Sequence, residues 1–150
     1  MRLIVTGHRE EKLGTYDTHW IRTTITSLVR QCMNKGVTIA YSGMASGVDL
    51  WFCKACQIHQ LPFVACVPFE EQGELMSEEA RDARDFYLRN VAVETRNVKN
   101  SWMVEHADMA IVVWDGNKGG THNVLQQLVE KKIPFYWINP VAQVVWKCFV

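Results

Sequence analysis

The chain of 150 residues carries 16 basic and 16 acidic side chains, a formal net charge of zero, with 48% apolar and 21% charged residues. That balance describes a folded protein and not a disordered one, and the length suits a single domain over residues 1–150. No apolar run approaches the roughly 18 residues a membrane helix needs. Met1–Thr6 lacks a signal-peptide cleavage site, and a neutral total speaks against a long polyanion such as nucleic acid as the partner.

The first apolar segment, Leu3–Thr6, predicts a strand. Gly7-His8-Arg9 after it joins a small residue, which lets backbone N–H groups approach a ligand, to two side chains suited to a phosphate or carboxylate. Trp20, Ile21, Thr24, Ile25, Leu28, Val29 and Cys32 recur at helical steps, and Asn34-Lys35-Gly36 stops that helix. A second strand, Val37–Tyr41, leads through Ser42-Gly43-Met44-Ala45-Ser46-Gly47 into a helix from Val48 to His59, with Asp49 in its first turn. Glycines bracketing a strand-to-helix turn suit a phosphate cradle, in which backbone donors add to the positive helix end. Cys53 and Cys56 lie inside this helix with no second ligand pair to complete a zinc site, so they read as packing residues and no metal is expected. The five cysteines, an odd count, suit free thiols in a reducing compartment.

The third strand, Pro62–Val67, runs into Pro68-Phe69-Glu70, a cleft wall in which Phe69 is placed to stack on a base. Ser77-Glu78-Glu79-Ala80 is a capped start for a third helix, whose Arg81, Asp82, Arg84 and Asp85 read as a solvated face. Lys99 and Asn100 precede a short apolar helix, Met103–Ala107, with Lys99 a candidate phosphate partner. The fourth strand, Met109–Trp114, is followed by Asp115-Gly116-Asn117-Lys118-Gly119-Gly120-Thr121-His122-Asn123, which opens a helix over Thr121–Lys132. A fifth strand covers Pro134–Ile138. Trp102 and Trp114, near strand ends, are candidate pocket walls.

The order β-α-β-α-β-α-β-α-β predicts an α/β fold, a three-layer sandwich with a mostly parallel sheet of about five or more strands. Ligands of such sheets bind beyond the carboxyl ends of the strands. The two glycine-rich helix starts then face one another across a cleft, which favours an anionic, nucleotide-derived ligand.

These loops, in this order, resemble the SLOG superfamily, which includes DNA-processing and cytokinin-activating members, and within it the small stand-alone YpsA-like branch. The matching stretches are Thr6-Gly7-His8-Arg9 with Lys12-Leu13-Gly14; Ser42-Gly43-Met44 with Gly47-Val48-Asp49; Pro62-Phe63-Val64-Ala65 with Pro68-Phe69-Glu70; Asn100 with Trp102-Met103-Val104; and Val113-Trp114-Asp115-Gly116 with Gly119-Gly120-Thr121 and Asn123. The resemblance implies a Rossmann-like fold that binds nucleotides or nucleotide-derived molecules between the glycine loops.

Two positions depart from the pattern. Lys99 stands where the branch usually has arginine, and Val124 stands where the cytokinin-activating enzymes have a glutamate that assists glycosidic cleavage. Valine is neither acid nor base, which leaves Asp49, Glu70 and Asp115 as carboxylates near the strand ends. The expectation is a cytoplasmic binding module, a homo-oligomer, that senses or sequesters ADP-ribose, a cyclic ADP-ribose isomer, NAD or another nucleotide messenger. Such a module could serve as a phage-type anti-defence sponge. The alternatives are a nucleotide hydrolase, such as a phosphoribohydrolase-like N-glycosidase, and a DNA-binding protein similar to the DNA-processing members. No resident cofactor is expected, and a divalent ion beside the ligand is left open.

Overall fold

The computed structural model describes residues 1–91, 94–96 and 100–149. Among these residues seven strands, β1 (Arg2–Gly7), β2 (Ile39–Ser42), β3 (Phe63–Val67), β4 (Glu94–Arg96), β5 (Met109–Val113), β6 (Phe135–Asn139) and β7 (Val144–Cys148), form one sheet. Their order is β4-β3-β2-β1-β5-β6-β7. All described pairings are parallel except that of β6 with β7. The helices are α1 (Glu10–Leu13), α2 (Thr18–Asn34), α3 (Val48–Ile58), α4 (Glu78–Asn90), α5 (Asn100–His106) and α6 (Gly120–Glu130), with a 3-10 segment at Glu70–Leu75.

Both faces of the sheet are covered, which is why its central strands are continuously apolar: all five residues of β5 are buried. On one face Leu3, Val5 and Ile111 pack against Ile25 and Leu28 of α2 and Phe52 of α3. Tyr87 of α4 extends that layer over Val67 and Cys53. On the other, Ile4 and Val112 pack against Val104 of α5 and Val124 and Leu128 of α6. The result is the expected Rossmann-like three-layer sandwich, and among the described residues no helix is long and apolar enough to cross a membrane.

The local signals act as anticipated at the helix starts. Asp17 accepts the Trp20 N–H at 3.0 Å to cap α2, and Ser77 accepts the Ala80 N–H at 3.2 Å to cap α4. Cys53 and Cys56 are buried in α3, where the Cys53 thiol donates to the Met44 sulfur at 3.6 Å. Two strands lie beyond the sequence expectation. β4 is a polar triplet drawn into the sheet by pairing with β3, and β7 continues past Ile138 through a turn at which Asn139 Oδ1 accepts the Val141 and Ala142 N–H groups. Arg84 also departs from its reading as part of a solvated face: its side chain is buried, because it bonds inward to Gln72.

The strand order reverses direction between β1 and β5, and their register runs from Leu3 opposite Met109 to Gly7 opposite Val113. That register brings the next residues, His8 and Trp114-Asp115, side by side at the carboxyl edge, where an open α/β sheet leaves a crevice.

Candidate functional site

A cleft of 760 Å³ occupies that crevice. Its lining comes from the ends of β1 and β3, from the loops after β1, β2 and β3, from Glu11 and Lys12 of α1, and from the starts of α3, α5 and α6.

The β2–α3 loop is held by its own side chains. Met44 takes a left-handed backbone, φ 63°, which a non-glycine residue adopts only under local compulsion. Its side chain is fully buried and anchors the loop inward, so that Gly43 and Ala45 on either side face the cleft. Ser42 Oγ accepts the Met44 N–H at 3.3 Å and donates to the Asp49 carbonyl at 3.0 Å. Asp49 Oδ2 accepts the Ala45 N–H at 3.1 Å. Asp49 opens onto the cleft, yet protein packs densely around its carboxyl and desolvation pushes the pKa up to about 7, against the opposing pull of the Ala45 N–H and Arg9.

Gly47 does a different job from the one its motif suggests. Its φ is +83°, and a Cβ there would lie 2.7 Å from the Glu10 nitrogen and 2.9 Å from the His8 carbonyl oxygen. It lets the β2–α3 loop close on the β1–α1 loop, with the Val48 N–H donating to the His8 carbonyl at 3.4 Å. Gly7 likewise serves packing, since a Cβ would stand 2.6 Å from the Val48 side chain, although Gly7 also lines the cleft.

His8 is buried, and its Nε2 accepts the Asp115 N–H at 3.1 Å while standing 3.1 Å from Asp115 Oδ1. Burial holds the imidazole below its ordinary pKa, with Asp115 opposing and Lys12 adding to the depression. The neutral ring with Nε2 as acceptor satisfies the backbone donor, so His8 ties the β1 loop to the β5 loop. Asp115 is held below the usual carboxylate range by the Asn117 N–H at 3.0 Å and by His8, whose ring is protonated at the low pH where Asp115 titrates; together they outweigh its desolvation.

Opposite the β2–α3 loop stands the start of α6. Among the described residues no side chain caps its first-turn N–H groups, Gly120 has open space where a Cβ would be, and buried Thr121 lines the cleft beside it. Lys12 Nζ lies 3.9 Å from the Cβ position of Gly119, reaching toward this helix end, and Arg9 lines the same cleft. Positive helix end and two cations therefore share one concavity, an arrangement that attracts anions. The Pro68-Phe69 wall adds a partly exposed ring, and Asn100 and Met103 of α5 close another side.

The wall is braced from below. Gln72 Nε2 donates to the Gly43 carbonyl at 2.8 Å, and Arg84 Nε donates to Gln72 Oε1 at 2.9 Å. Arg81 clamps the same 3-10 segment by donating to the Gly73 carbonyl at 2.8 Å. Gln72 is thus a lining residue that also fixes the β2–α3 loop, and it carries no motif signal among its neighbouring glutamates. Val5, Thr6, Glu11, Lys12 and Cys66 complete the lining beyond the candidate site residues; a basic residue one turn after a glycine loop is the signal that could have singled out Lys12.

Of the expected residues, Gly7, His8, Arg9, Gly43, Ala45, Asp49, Phe69, Asn100, Gly120 and Thr121 meet in the cleft. Met44, Gly47 and Asp115 support it from behind, and Ser46 lines a small adjoining hollow under Phe69. Gly116, Lys118, Gly119 and Asn123 sit on the exposed loop and first turn of α6, outside the lining. Lys99 lies outside the described residues. Trp102 stacks on His106 at 4.1 Å and Trp114 packs on Trp137 at 5.3 Å, so neither forms the pocket wall expected of it. Glu70 also stays out of the lining, and Val124 is buried on the inner face of α6 in the core. Among the described residues no group of three or more His, Cys, Asp or Glu side chains is placed to hold a metal ion.

No curated protein matches the chain. The X-ray structure of the protein TM1055 is similar at 15% identity with a TM-score of 0.61, covering 89% of this chain and 71% of that one. DNA processing protein A from Helicobacter pylori, described for its single-stranded DNA binding mode, is similar at 14% identity with a TM-score of 0.65, covering 91% of this chain. This chain spans 64% of that longer protein. At such identities the likeness is one of fold. The family model for YpsA, described as the YspA SLOG family, matches residues 3–138, and the chain belongs to that family.

Proposed function

We propose that residues 1–150 form one ligand-binding domain whose cleft captures a small anionic molecule derived from a nucleotide. The observation that carries this reading is the meeting of the α6 N-terminus, left without a side-chain cap, with Arg9 and Lys12 in one cleft at the reversal of strand order. A volume of 760 Å³ suits a dinucleotide-sized ligand, and Phe69 supplies a ring for a base. Membership of a SLOG family supports a nucleotide-related role. Val124, packed in the core, offers no carboxylate to a glycosidic bond, which favours capture over cleavage. ADP-ribose, its cyclic isomers and NAD are the ligands to test first, with sensing or sequestration in the cytoplasm as the biological outcome. The exposed Val144, Val145 and Trp146 of edge strand β7 support assembly into a homo-oligomer, which light scattering would read directly.

A second reading, single-stranded DNA binding, is favoured by one observation, the fold shared with a protein described as binding it. Calorimetry against ADP-ribose, cyclic ADP-ribose, NAD and a thymidine oligonucleotide separates the two. A small ligand binding more tightly than about 1 mM, weakened by Arg9→Ala and Lys12→Ala, supports capture. Sub-micromolar binding of the oligonucleotide in physiological salt, with none for the small ligands, overturns it.

A further inference from the structure

We propose a second binding site, between α2 and the β6–β7 hairpin, that takes a small planar organic acid of the aromatic carboxylate class. A trough of 450 Å³ runs there and shares no lining residue with the cleft. Tyr136 of β6 lines it and is wholly buried, yet its hydroxyl has no hydrogen-bond partner among the described residues. A buried hydroxyl without a partner is a standing cost to a fold, and a ligand oxygen would relieve it. The antiparallel register sets Lys147 of β7 directly opposite Tyr136, so both side chains leave the hairpin on the face toward α2.

The polarity of the trough selects the ligand. Burial raises the Tyr136 pKa, which keeps the phenol an O–H donor at neutral pH. Lys147 adds a cation, and Gln31 and Ser27 on α2 add further donors. The hydroxyls of Thr23 and Thr24 already donate to α2 carbonyls, at 3.0 Å to His19 and 2.6 Å to Trp20, and can only accept. Among the described residues no acidic side chain lines the trough. Donors with one positive charge and no carboxylate fit an acceptor-rich anionic head. Trp20, Leu28 and Val145 supply the apolar walls that fit a flat body.

Naphthoate and its neutral amide are suitable probes, read by residue-resolved NMR and melting temperature. Saturable shifts at the Trp20 indole N–H and at the Gln31 and Lys147 amides are expected, with a Kd below about 1 mM. The amide should bind about tenfold more weakly, as should the acid to Tyr136→Phe and to Lys147→Gln. Tyr136→Phe removes the orphan hydroxyl, so its melting temperature should hold or rise. Shifts confined to the cleft, equal binding of acid and amide, or unchanged binding in Lys147→Gln would each overturn the assignment. The last comparison stands even if Tyr136→Phe fails to fold. Because the trough and cleft share no residue, the outcome is independent of the nucleotide reading.

Discussion

Gly47 and Gly120 look alike in sequence, each opening a helix after a strand, and the structure separates them sharply. Alanine at Gly47 would keep a φ of +83° that side chains rarely adopt and would thrust a methyl to 2.7 Å from the Glu10 backbone nitrogen. With ψ at −124° the backbone lies in a positive-φ extended region nearly exclusive to glycine, which costs about 1–3 kcal/mol, and overpacking against backbone adds about 1–3 kcal/mol more. For a chain of 150 residues the sum corresponds to a fall in melting temperature of roughly 5–15 °C. At Gly120 a Cβ meets nothing within 4 Å, so Gly120→Ala should leave stability unchanged or slightly raised. Gly120→Leu should also fold, while its side chain fills the cleft at the α6 N-terminus and weakens ligand binding by at least about tenfold. Calorimetric melting and ligand titration of the three variants check this. A Gly47→Ala protein melting within about 2 °C of the parent, or a Gly120→Leu protein that fails to fold, would refute the division into a packing glycine and a lining glycine.

Other expectations follow from the same geometry. Lys12→Ala should weaken an anionic ligand without altering the melting temperature, because Lys12 is exposed and reaches only toward the cleft. Gln72→Leu should cost roughly 2–4 kcal/mol in urea unfolding, since it strips a partner from the Gly43 carbonyl and from buried Arg84 together. Asp49, with a folded pKa of about 7 against an ordinary 3.8, holds a proton that the unfolded chain has lost, so stability falls as pH rises through that window and then levels off. Asp49→Asn should flatten this slope of up to about 1.4 kcal/mol per pH unit, as unfolding at several pH values would record. His8 acts with opposite sign. Its depressed pKa means the unfolded chain protonates first, and stability is lost as pH falls below 6.5. The two slopes oppose one another just below pH 6.5, so His8→Gln should expose the Asp49 slope and Asp49→Asn the His8 slope.

What the sequence made legible was whatever carries its own pattern. Leu3–Thr6 and Met109–Val113 are covered on both faces, and burial from two sides demands the continuous apolar runs that betray them. Glu94–Arg96 has no such run: it is a strand because β3 offers it an edge, a cause that lies elsewhere in the chain. The glycine loops were readable as a site because strand ends and helix starts converge by topology. Which glycine faces ligand and which faces backbone depends on a contact between residues 47 and 10, and spacing does not encode it. Arg84 shows the same limit. Alternating charges on a helix ordinarily face water, and here the nearby amide of Gln72 turns Arg84 inward.

The Met44 anchor, the Asp49 and Ser42 bonds, and the close seat of Gly47 on Glu10 join the first two loops into one stiff jaw. The facing jaw is built otherwise: Gly116 and Gly120 have open space at their Cβ positions, and the loop that carries Gly116 to Gly119 is exposed. Under the capture reading, a ligand of different size would displace the exposed Gly116–Gly119 stretch, which is held through Asp115 and Asn117, sooner than a jaw whose shape is set by its own bonds. Affinity across a ligand series should accordingly track fit to the stiff jaw, and breadth of recognition should track the freedom of the other.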